Sequence, residues 1–294
     1  MTFVGLDRVR EIRVHEPQRI VEEAAARRTR PLTGPLMVVA ADHPARGALA
    51  VGDAPMAMAD RTDLLARLVT ALDRPGVDGV LGTPDIIEDL LLLGALDDKV
   101  VIGSMNRGGL AGAAFELDDR FTAYDAATIA AMRFNGGKML TRVAFDDPGS
   151  VRTLEACAHA IDELVDLGLM AMVEPFVSRR IEGRVLNDLS PEAVIRSIAV
   201  ATGLGKSSRY TWLKLPVVHD MERVMRATTL PALLLGGDPS GSPDDTYADW
   251  AKALELPGVQ GLVVGRTLLY PADDDVAAAV DVAAGLVHVD LEES

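Results

Sequence analysis

The chain reads Leu36-Met37-Val38-Val39-Ala40-Ala41-Asp42-His43-Pro44 where its first continuously apolar stretch ends in polar residues and a proline. Apolar side chains at consecutive positions are typical of a parallel strand covered on both faces. A doubly wound nucleotide-binding sheet would place the glycines of a G-x-G-x-x-G motif directly after this strand. Asp42 and His43 stand there instead, so the segment indicates a parallel α/β fold of another kind.

Seven further stretches of this kind follow, separated by longer amphipathic segments. Eight βα units are the number that closes a (β/α)8 barrel. We therefore predict an α/β fold of this TIM-barrel class, with an open doubly wound sheet as the alternative. The predicted strands are Leu36–Ala41, Val77–Gly82, Lys99–Gly103, Lys138–Phe145, Leu169–Glu174, Tyr210–Val218, Ala232–Gly236 and Gly261–Gly265.

The segments between the strands predict helices and set the domain boundaries. Thr153–Leu167 and Val276–Val287 carry apolar residues at helical spacing, and Pro191–Thr202 follows a serine that suits an N-cap. We expect one barrel domain over residues 35–290 and an N-terminal helical extension over residues 1–34, whose helix-like part is Pro17–Arg30 and which would cover the lower end of the barrel. The glycine-rich stretch Ser104–Phe121 is expected to be an active-site loop after the third strand.

Composition and net charge indicate which kinds of partner and which cellular location to expect. The chain has 294 residues, a hydrophobic content of 49% and a formal net charge of −15. A core of this size needs no disulfides, and a single cysteine, Cys157, allows none within the chain. The acidic balance argues against nucleic-acid and anionic-membrane partners, which need a basic surface. The sequence has no apolar run of membrane-spanning length and no signal-peptide pattern at its start, so a cytoplasmic protein is expected.

Charged residues interrupt the apolar strands at four positions, of which Lys214 in the sixth strand is the most informative. Lysine is rarely buried without a partner. A desolvated lysine close to another cation has a lowered pKa, and its neutral amine can attack a carbonyl to form a Schiff base. The alternative is a lysine that extends from a strand end to solvent.

Glu174 ends the fifth strand and precedes Pro175, which we expect to stop that strand. An unpaired carboxylate in such an apolar environment would have a raised pKa and would suit proton transfer. The alternative is a strand-end carboxylate that pairs with Arg179 or Arg180.

Lys138 and Arg142 lie on one face of the fourth strand, with Lys138 expected at its beginning. Two cations on one face suit a phosphate or carboxylate substrate, and Lys138 would also lower the pKa of Lys214. Taken alone, Lys138 also fits a solvated strand end.

Asp42 and His43 end the first strand, where a carboxylate can orient a substrate hydroxyl or hold a lysine ammonium. A metal site made of Asp42, His43 and His219 is an alternative, but no recognised metal-binding spacing supports it. We therefore expect neither a metal nor another cofactor.

Glycines end the seventh and eighth strands, at Gly236-Gly237 and at Gly265-Arg266. Backbone N–H groups at these two positions bind phosphate in many barrels of this class, and an arginine adds a charge-assisted contact. The alternative is that these are ordinary turn glycines beside a surface arginine.

In its ordered set of motifs the chain resembles the class I, Schiff-base aldolases of sugar phosphates, and it looks closest to the archaeal-type fructose-bisphosphate and the tagatose-bisphosphate aldolases. The resemblance covers nearly the whole barrel. It implies a metal-independent aldehyde-lyase with Lys214 as the Schiff-base lysine and Glu174 as proton carrier. For the base that removes the substrate hydroxyl proton, Glu174 is the first candidate and Asp42 the second. Lys138 and Asp42 would position and stabilise charge, and the phosphate would lie against the glycine motifs. The motifs are Asp42-His43, Lys138, Glu174-Pro175, Lys214 with Pro216, Gly236-Gly237 and Gly265-Arg266.

More narrowly, the chain looks like an actinobacterial barrel family found with inositol-catabolism enzymes. A related aldolase domain of that pathway splits 5-dehydro-2-deoxygluconate 6-phosphate into dihydroxyacetone phosphate and malonate semialdehyde. The resemblance implies a phosphorylated sugar as ligand and a homo-oligomer.

Two segments depart from the family pattern. Pro44 follows His43 where many relatives have glycine, and the loop from Asn106 to Gly109 has no counterpart. His43, Arg142 and Arg107 are therefore expected as additional substrate contacts. Three alternatives stay open. The protein could run a transaldol or acyl-transfer reaction on a phosphorylated ketone, or it could cleave a fructose or tagatose bisphosphate or deoxyribose phosphate. The third alternative is a non-catalytic sugar-phosphate sensor.

Overall fold

A computed structural model describes residues 5–237 and 242–288. Within them, eight parallel strands form a closed ring, since the fourth strand pairs with the third on one side and with the fifth on the other. The prediction of a (β/α)8 barrel is confirmed, and the open sheet is wrong. The strands are β1 Leu36–Ala40, β2 Gly79–Gly82, β3 Val100–Ser104, β4 Gly136–Val143, β5 Met170–Ile181, β6 Arg184–Asn187, β7 Thr211–Pro216, β8 Ala232–Leu235 and β9 Val259–Val264.

Strand β6 is an addition to the barrel that the sequence did not predict. It pairs antiparallel with the far end of β5 through the tight turn Glu182-Gly183, whose φ angles are 50° and 81°. Positive φ at both turn residues matches the hairpin turn that follows strand twist. The expectation that Pro175 stops the fifth strand is wrong. From Glu174 onward β5 has no register with β7, and proline is tolerated at such an edge.

Helices and one short 3-10 turn fill the connections. Two predicted helices, Pro191–Thr202 and Val276–Val287, have the predicted bounds, and the Ser190 side chain accepts a hydrogen bond from Ala193 N at 3.3 Å. The predicted helix Thr153–Leu167 extends over Gly149–Asp166, and the helix-like segment Pro17–Arg30 contains the shorter helix Arg19–Ala26. The helices are α1 Gly5–His15, α2 Arg19–Ala26, α3 Arg61–Leu72, α4 Pro84–Leu92, α5 Ala126–Ala131, α6 Gly149–Asp166, α7 Pro191–Thr202, α8 Met221–Met225, α9 Pro243–Leu254, α10 Arg266–Leu269 and α11 Val276–Val287, and the 3-10 turn is Pro44–Arg46.

Strand alternation divides the core into two layers. One set of side chains packs between the strands and the helices, and the other fills the inside of the barrel with residues such as Val38, Ala40 and Met172. Because side chains alternate along a strand, the next inward positions on β1 and β5 are Asp42 and Glu174. The inside of the barrel is therefore apolar along most of the strands and charged at their carboxyl ends.

Helix α2 and the residues that follow it lie against the amino ends of the strands. The Arg27 guanidinium donates to the carbonyl oxygens of Lys99 at 3.1 Å and of Arg133 at 2.6 Å. The Asn135 side chain donates to Arg30 O at 2.7 Å. Lys99 and Asn135 directly precede β3 and β4, which places this segment at the end of the barrel opposite the charged layer. No helix in the described part of the chain is long and apolar enough to cross a membrane.

Candidate active site

The charged layer forms the floor of a cavity of about 710 Å³ at the carboxyl ends of the barrel strands. All of the site residues proposed from the sequence line this one cavity. They come from six of the barrel strands and from the loop after β3, although they are spread over more than two hundred positions of the chain. They are Asp42, His43, Arg107, Lys138, Arg142, Glu174, Lys214, Gly236, Gly237, Gly265 and Arg266.

Glu174 joins the two buried lysines. Its Oε1 lies 3.0 Å from Lys214 Nζ, and its Oε2 contacts Lys138 Nζ. The side chains of both lysines are at most 4% exposed, so neither extends to solvent. The alternative pairing of Glu174 with Arg179 or Arg180 is wrong, since Arg179 pairs with Asp188 and Arg180 donates to backbone carbonyls on the surface.

Asp42 extends this chain of charges on the other side of Lys138. Its Oδ2 accepts from Lys138 Nζ at 3.0 Å and from the Ser104 hydroxyl at 3.1 Å, and it pairs with Arg107 Nη1 at 3.1 Å. Lys138 thus lies between two carboxylates, whereas Lys214 contacts only Glu174 among the ion pairs of the described residues. The expectation that Lys138 begins its strand is wrong: β4 begins at Gly136, and Lys138 stands beside Ser104 of β3.

Mutual pairing keeps both carboxylates ionised. Burial alone would raise the pKa of Asp42, but Arg107 and Lys138 outweigh it and hold that pKa well below its usual range. Burial likewise opposes ionisation of Glu174, and the ammonium groups of Lys138 and Lys214 lower its pKa to about 2. Burial, with Arg107 nearby, lowers the pKa of Lys138 to about 8. Glu174 is therefore a buried anion at neutral pH, rather than an acid with a raised pKa.

The loop between β3 and α5 closes one side of the cavity, and Asn106 fixes its start. The Asn106 side chain accepts from Leu140 N at 2.7 Å and donates to Leu140 O at 2.6 Å, which continues the sheet pattern beside β4. It also donates to Asp119 O at 3.2 Å, at the far end of the loop. These bonds hold Arg107, the next residue, over Asp42.

Arg142 fastens the same loop. Its guanidinium donates to Asp119 Oδ2 at 2.8 Å and to Asp119 Oδ1 at 2.6 Å, and it also contacts Glu116. Asp119 is fully buried. Arg142 lines the cavity, so the predicted substrate contact stays a prediction, and in the structure its guanidinium contacts Asp119 and Glu116.

Gly109 allows this close packing. A Cβ on Gly109 would lie 2.2 Å from Glu116 O and 2.6 Å from Arg142 Nη2. Its carbonyl oxygen accepts from Arg46 Nε at 2.8 Å. Arg46 therefore connects the segment after β1 to the loop after β3. These are the two segments in which the sequence departs from the pattern of the aldolase family.

His43 lies beside this network with its ring in the cavity wall. Its Nδ1 is 3.8 Å from Asp42 Oδ1, and burial lowers the pKa of His43 to about 3. The alternative metal site with His219 finds no geometric support: His219 does not line the cavity, and residues 5–237 and 242–288 contain no cluster of three or more metal-ligating side chains.

The glycine motifs lie on the opposite side of the cavity from the loop. Gly236 and Gly237 follow β8, and Gly265 and Arg266 join β9 to α10. Four residues after Gly237 lie outside the described part of the chain. Phosphate binding at these glycines stays a prediction.

A family model described as Cgl0159-like matches residues 34–284 of this sequence. The chain belongs to the Cgl0159-like family. The crystal structure of Cgl0159 from Corynebacterium glutamicum shares 57% sequence identity with it over 99% of both chains, with a TM-score of 0.96. No curated protein matches the chain.

More distant structures share the fold of this Cgl0159-like chain. A Schiff-base-forming fructose-1,6-bisphosphate aldolase has 20% identity over 91% of this chain and 99% of its own, with a TM-score of 0.64. An archaeal fructose-1,6-bisphosphate aldolase whose catalytic lysine carries a carbinolamine intermediate has 19% identity over 92% and 99%, with a TM-score of 0.65. At such identities the likeness shows the barrel fold, and not the reaction.

Several residues that build the site of this Cgl0159-like protein were missed from the sequence. Ser104, Asn106, Glu116 and Asp119 are all buried and polar. Ser104 ends β3, and the other three stand in the loop that follows, which has no regular periodicity. The only available signal was the concentration of charged residues in a glycine-rich loop, and it does not say which of them turn inward.

Proposed function

We propose that this protein is a class I aldolase that cleaves a phosphorylated ketose or keto-sugar acid through a Schiff base on Lys214. The contact of Glu174 with both Lys138 and Lys214 on the floor of the cavity is the main support. Together with Arg107, the two lysines exceed the two carboxylates, Glu174 and Asp42, by one positive charge, which favours the loss of one proton from this network. Burying charged groups at this depth costs stability, and such clusters of buried titratable groups in a cavity are typical of functional sites.

Lys214 is the better nucleophile of the two lysines because of its partners. Lys138 pairs with both Asp42 and Glu174. If its ammonium moved toward a substrate, both buried carboxylates would lose that partner. Lys214 has one carboxylate partner, 3.0 Å away. Transfer of a proton from Lys214 to Glu174 gives a neutral amine and a neutral acid, and Lys138 keeps its positive charge beside them.

The reaction then follows from these positions. The Lys214 amine attacks the substrate ketone, and the carbinolamine oxygen leaves as water with the proton that Glu174 received. The resulting iminium accepts the electron pair of the adjacent carbon–carbon bond as that bond breaks. A base removes the hydroxyl proton, one product leaves as an aldehyde, and the other stays on Lys214 as an enamine. Protonation of the enamine carbon and addition of water release the second product and the free lysine.

The positively charged side chains of the cavity support the proposal of a phosphorylated substrate. Gly237 and Arg266 line it on one side of Lys214, and Lys138 and Arg107 on the other. Within this class we favour 5-dehydro-2-deoxygluconate 6-phosphate as substrate, with dihydroxyacetone phosphate and malonate semialdehyde as products.

Dihydroxyacetone phosphate release, measured with a coupled NADH assay, tests the proposal. We expect cleavage of 5-dehydro-2-deoxygluconate 6-phosphate or of another ketose phosphate, unchanged by EDTA, and no cleavage by Lys214→Met. Lys252→Met is the matched control, because the Lys252 side chain is 79% exposed. Loss of activity in EDTA, or turnover by Lys214→Met, would contradict the proposal.

A further inference from the structure

The two oxygens of Asp42 have different surroundings. Oδ2 receives the Lys138 ammonium, the Ser104 hydroxyl and the Arg107 guanidinium, each within 3.1 Å. Oδ1 faces His43 Nδ1, at 3.8 Å. One carboxylate thus belongs to the lysine network through one oxygen and lies next to an imidazole through the other.

The two ring nitrogens of His43 have different surroundings. Nδ1 is shielded from solvent and has no hydrogen-bond partner among the described residues, while the side chain as a whole is 28% exposed. The exposed part is therefore the ring edge that carries Nε2, and His43 lines the cavity. Its Cε1 lies 3.4 Å from the position that a Cβ on Gly265 would take, which places the ring between Asp42 and the glycine motif.

We propose that His43, oriented by Asp42, is the catalytic base that removes the substrate hydroxyl proton during carbon–carbon cleavage. The inference rests on the proposed function and assigns the one proton transfer that it leaves open. With the Nδ1–H directed at Asp42 Oδ1, Nε2 presents its lone pair to the cavity. This is the arrangement of an acid–histidine pair, which is often loose without substrate and tightens when substrate binds.

The other bases of the floor are less suitable. Oδ2 of Asp42 already accepts from three donors, so its lone pairs are occupied. Glu174 contacts both lysines and is needed for the proton of Lys214 during Schiff-base formation. A separate group for the hydroxyl proton lets the two transfers proceed without competing for one carboxylate.

Burial keeps His43 unprotonated in the free protein. Burial is the largest cause of its lowered pKa, Arg266 and Lys214 add to it, and Asp42 and Glu174 oppose it. A bound phosphate dianion near Arg266 would offset that positive charge and make the imidazole a stronger base, whereas an iminium on Lys214 carries the same charge as the ammonium that it replaces. During cleavage Nε2 takes the hydroxyl proton, the O–H electron pair forms the aldehyde carbonyl, and the broken bond's electrons pass to the iminium. The imidazolium then returns its proton in the protonation of the enamine, so no proton is gained or lost.

The test separates Schiff-base formation from bond cleavage in His43→Gln. Borohydride with dihydroxyacetone phosphate measures the amount of adduct on Lys214, and the coupled assay measures cleavage of the best substrate of the wild-type protein. We expect the adduct to stay within about twofold of wild type while cleavage falls by about 100-fold or more, the usual contribution of a general base. His219→Gln, a histidine outside the cavity, should change neither.

A second variant guards against a merely structural effect. In His43→Ala, added imidazole should restore cleavage in proportion to the concentration of its neutral form, since the vacated position opens to the cavity. Cleavage by His43→Gln within tenfold of wild type, a parallel fall of adduct and cleavage, or no restoration by imidazole would overturn the assignment of His43. Absence of an adduct in the wild-type protein would instead overturn the proposed function itself.

Discussion

Replacement of Arg142 by methionine should destabilise the protein more than the loss of any surface ion pair. Arg142 is 3% exposed and its partner Asp119 is 0% exposed. The substitution keeps the length and the apolar stem of the side chain but removes the two charge-assisted bonds of 2.8 and 2.6 Å. Asp119 is then left as a buried carboxylate without its cation.

The expected cost follows from that burial. Removing one partner of a buried, hydrogen-bonded ion pair costs about 3–5 kcal/mol, mostly because the remaining charge is uncompensated. The same pair replaced on both sides by apolar residues is often nearly neutral. Arg142→Met should therefore lower the free energy of unfolding by about 3–5 kcal/mol, and Arg142→Met combined with Asp119→Leu should recover most of that loss.

Urea denaturation measures the global effect, and hydrogen exchange of residues 105–121 shows whether the loop opens first. Arg179→Ala is the matched control, since Arg179 and Asp188 form an ion pair whose side chains are 64% and 21% exposed. It should cost about 1 kcal/mol or less. Equal losses for Arg142→Met and Arg179→Ala, with no change in exchange of the loop, would refute the view that Arg142 fastens it.

Three further predictions concern other parts of the molecule. Gly109→Ala should abolish activity while far-UV circular dichroism stays native, because the new Cβ would lie 2.2 Å from Glu116 O; Gly285→Ala in helix α11, where nothing lies within 4 Å, should keep activity. Cys157 is buried and burial raises its pKa to about 12, so Ellman's reagent should modify it only after denaturation, and rapid reaction of the native protein would contradict this. The hydrogen bond to Asp78 raises the pKa of His288 above 6.5, so its contribution to stability is complete below the unfolded pKa of about 6.5 and is lost as pH rises through the folded value. His288→Gln should remove that pH dependence. Unfolding curves measured from about pH 5 to about pH 9, which spans the titration of a histidine, check this. The same pH dependence in His288→Gln as in the wild-type protein would show that the pair does not contribute to stability.

Periodicity and strand parity made much of the architecture predictable. Continuous apolar runs gave the eight barrel strands, because strands buried on both faces need apolar residues at every position. The same regularity made Asp42, Glu174 and Lys214 conspicuous, since each continues the inward parity of an apolar strand. A charged residue at an inward position has few explanations other than a site.

The pairing of these residues was not predictable in the same way. Glu174 has two arginines nearby in sequence, Arg179 and Arg180, but the hairpin carries both to the surface, and its true partners come from β4 and β7. Such contacts depend on the closure of the barrel, which no local pattern encodes. The functions of Asn106 and Asp119 likewise arise from a loop without periodicity, whose conformation is set by its tertiary hydrogen bonds.

The mass and position of the adduct trapped by borohydride test the central claim most directly. The protein is incubated with dihydroxyacetone phosphate, reduced and digested, and the modified peptide is sequenced by mass spectrometry. A single adduct of dihydroxyacetone phosphate on Lys214, absent in Lys214→Met, is the predicted result. An adduct on Lys138 with Lys214 unmodified, or no adduct on either lysine, would contradict the account.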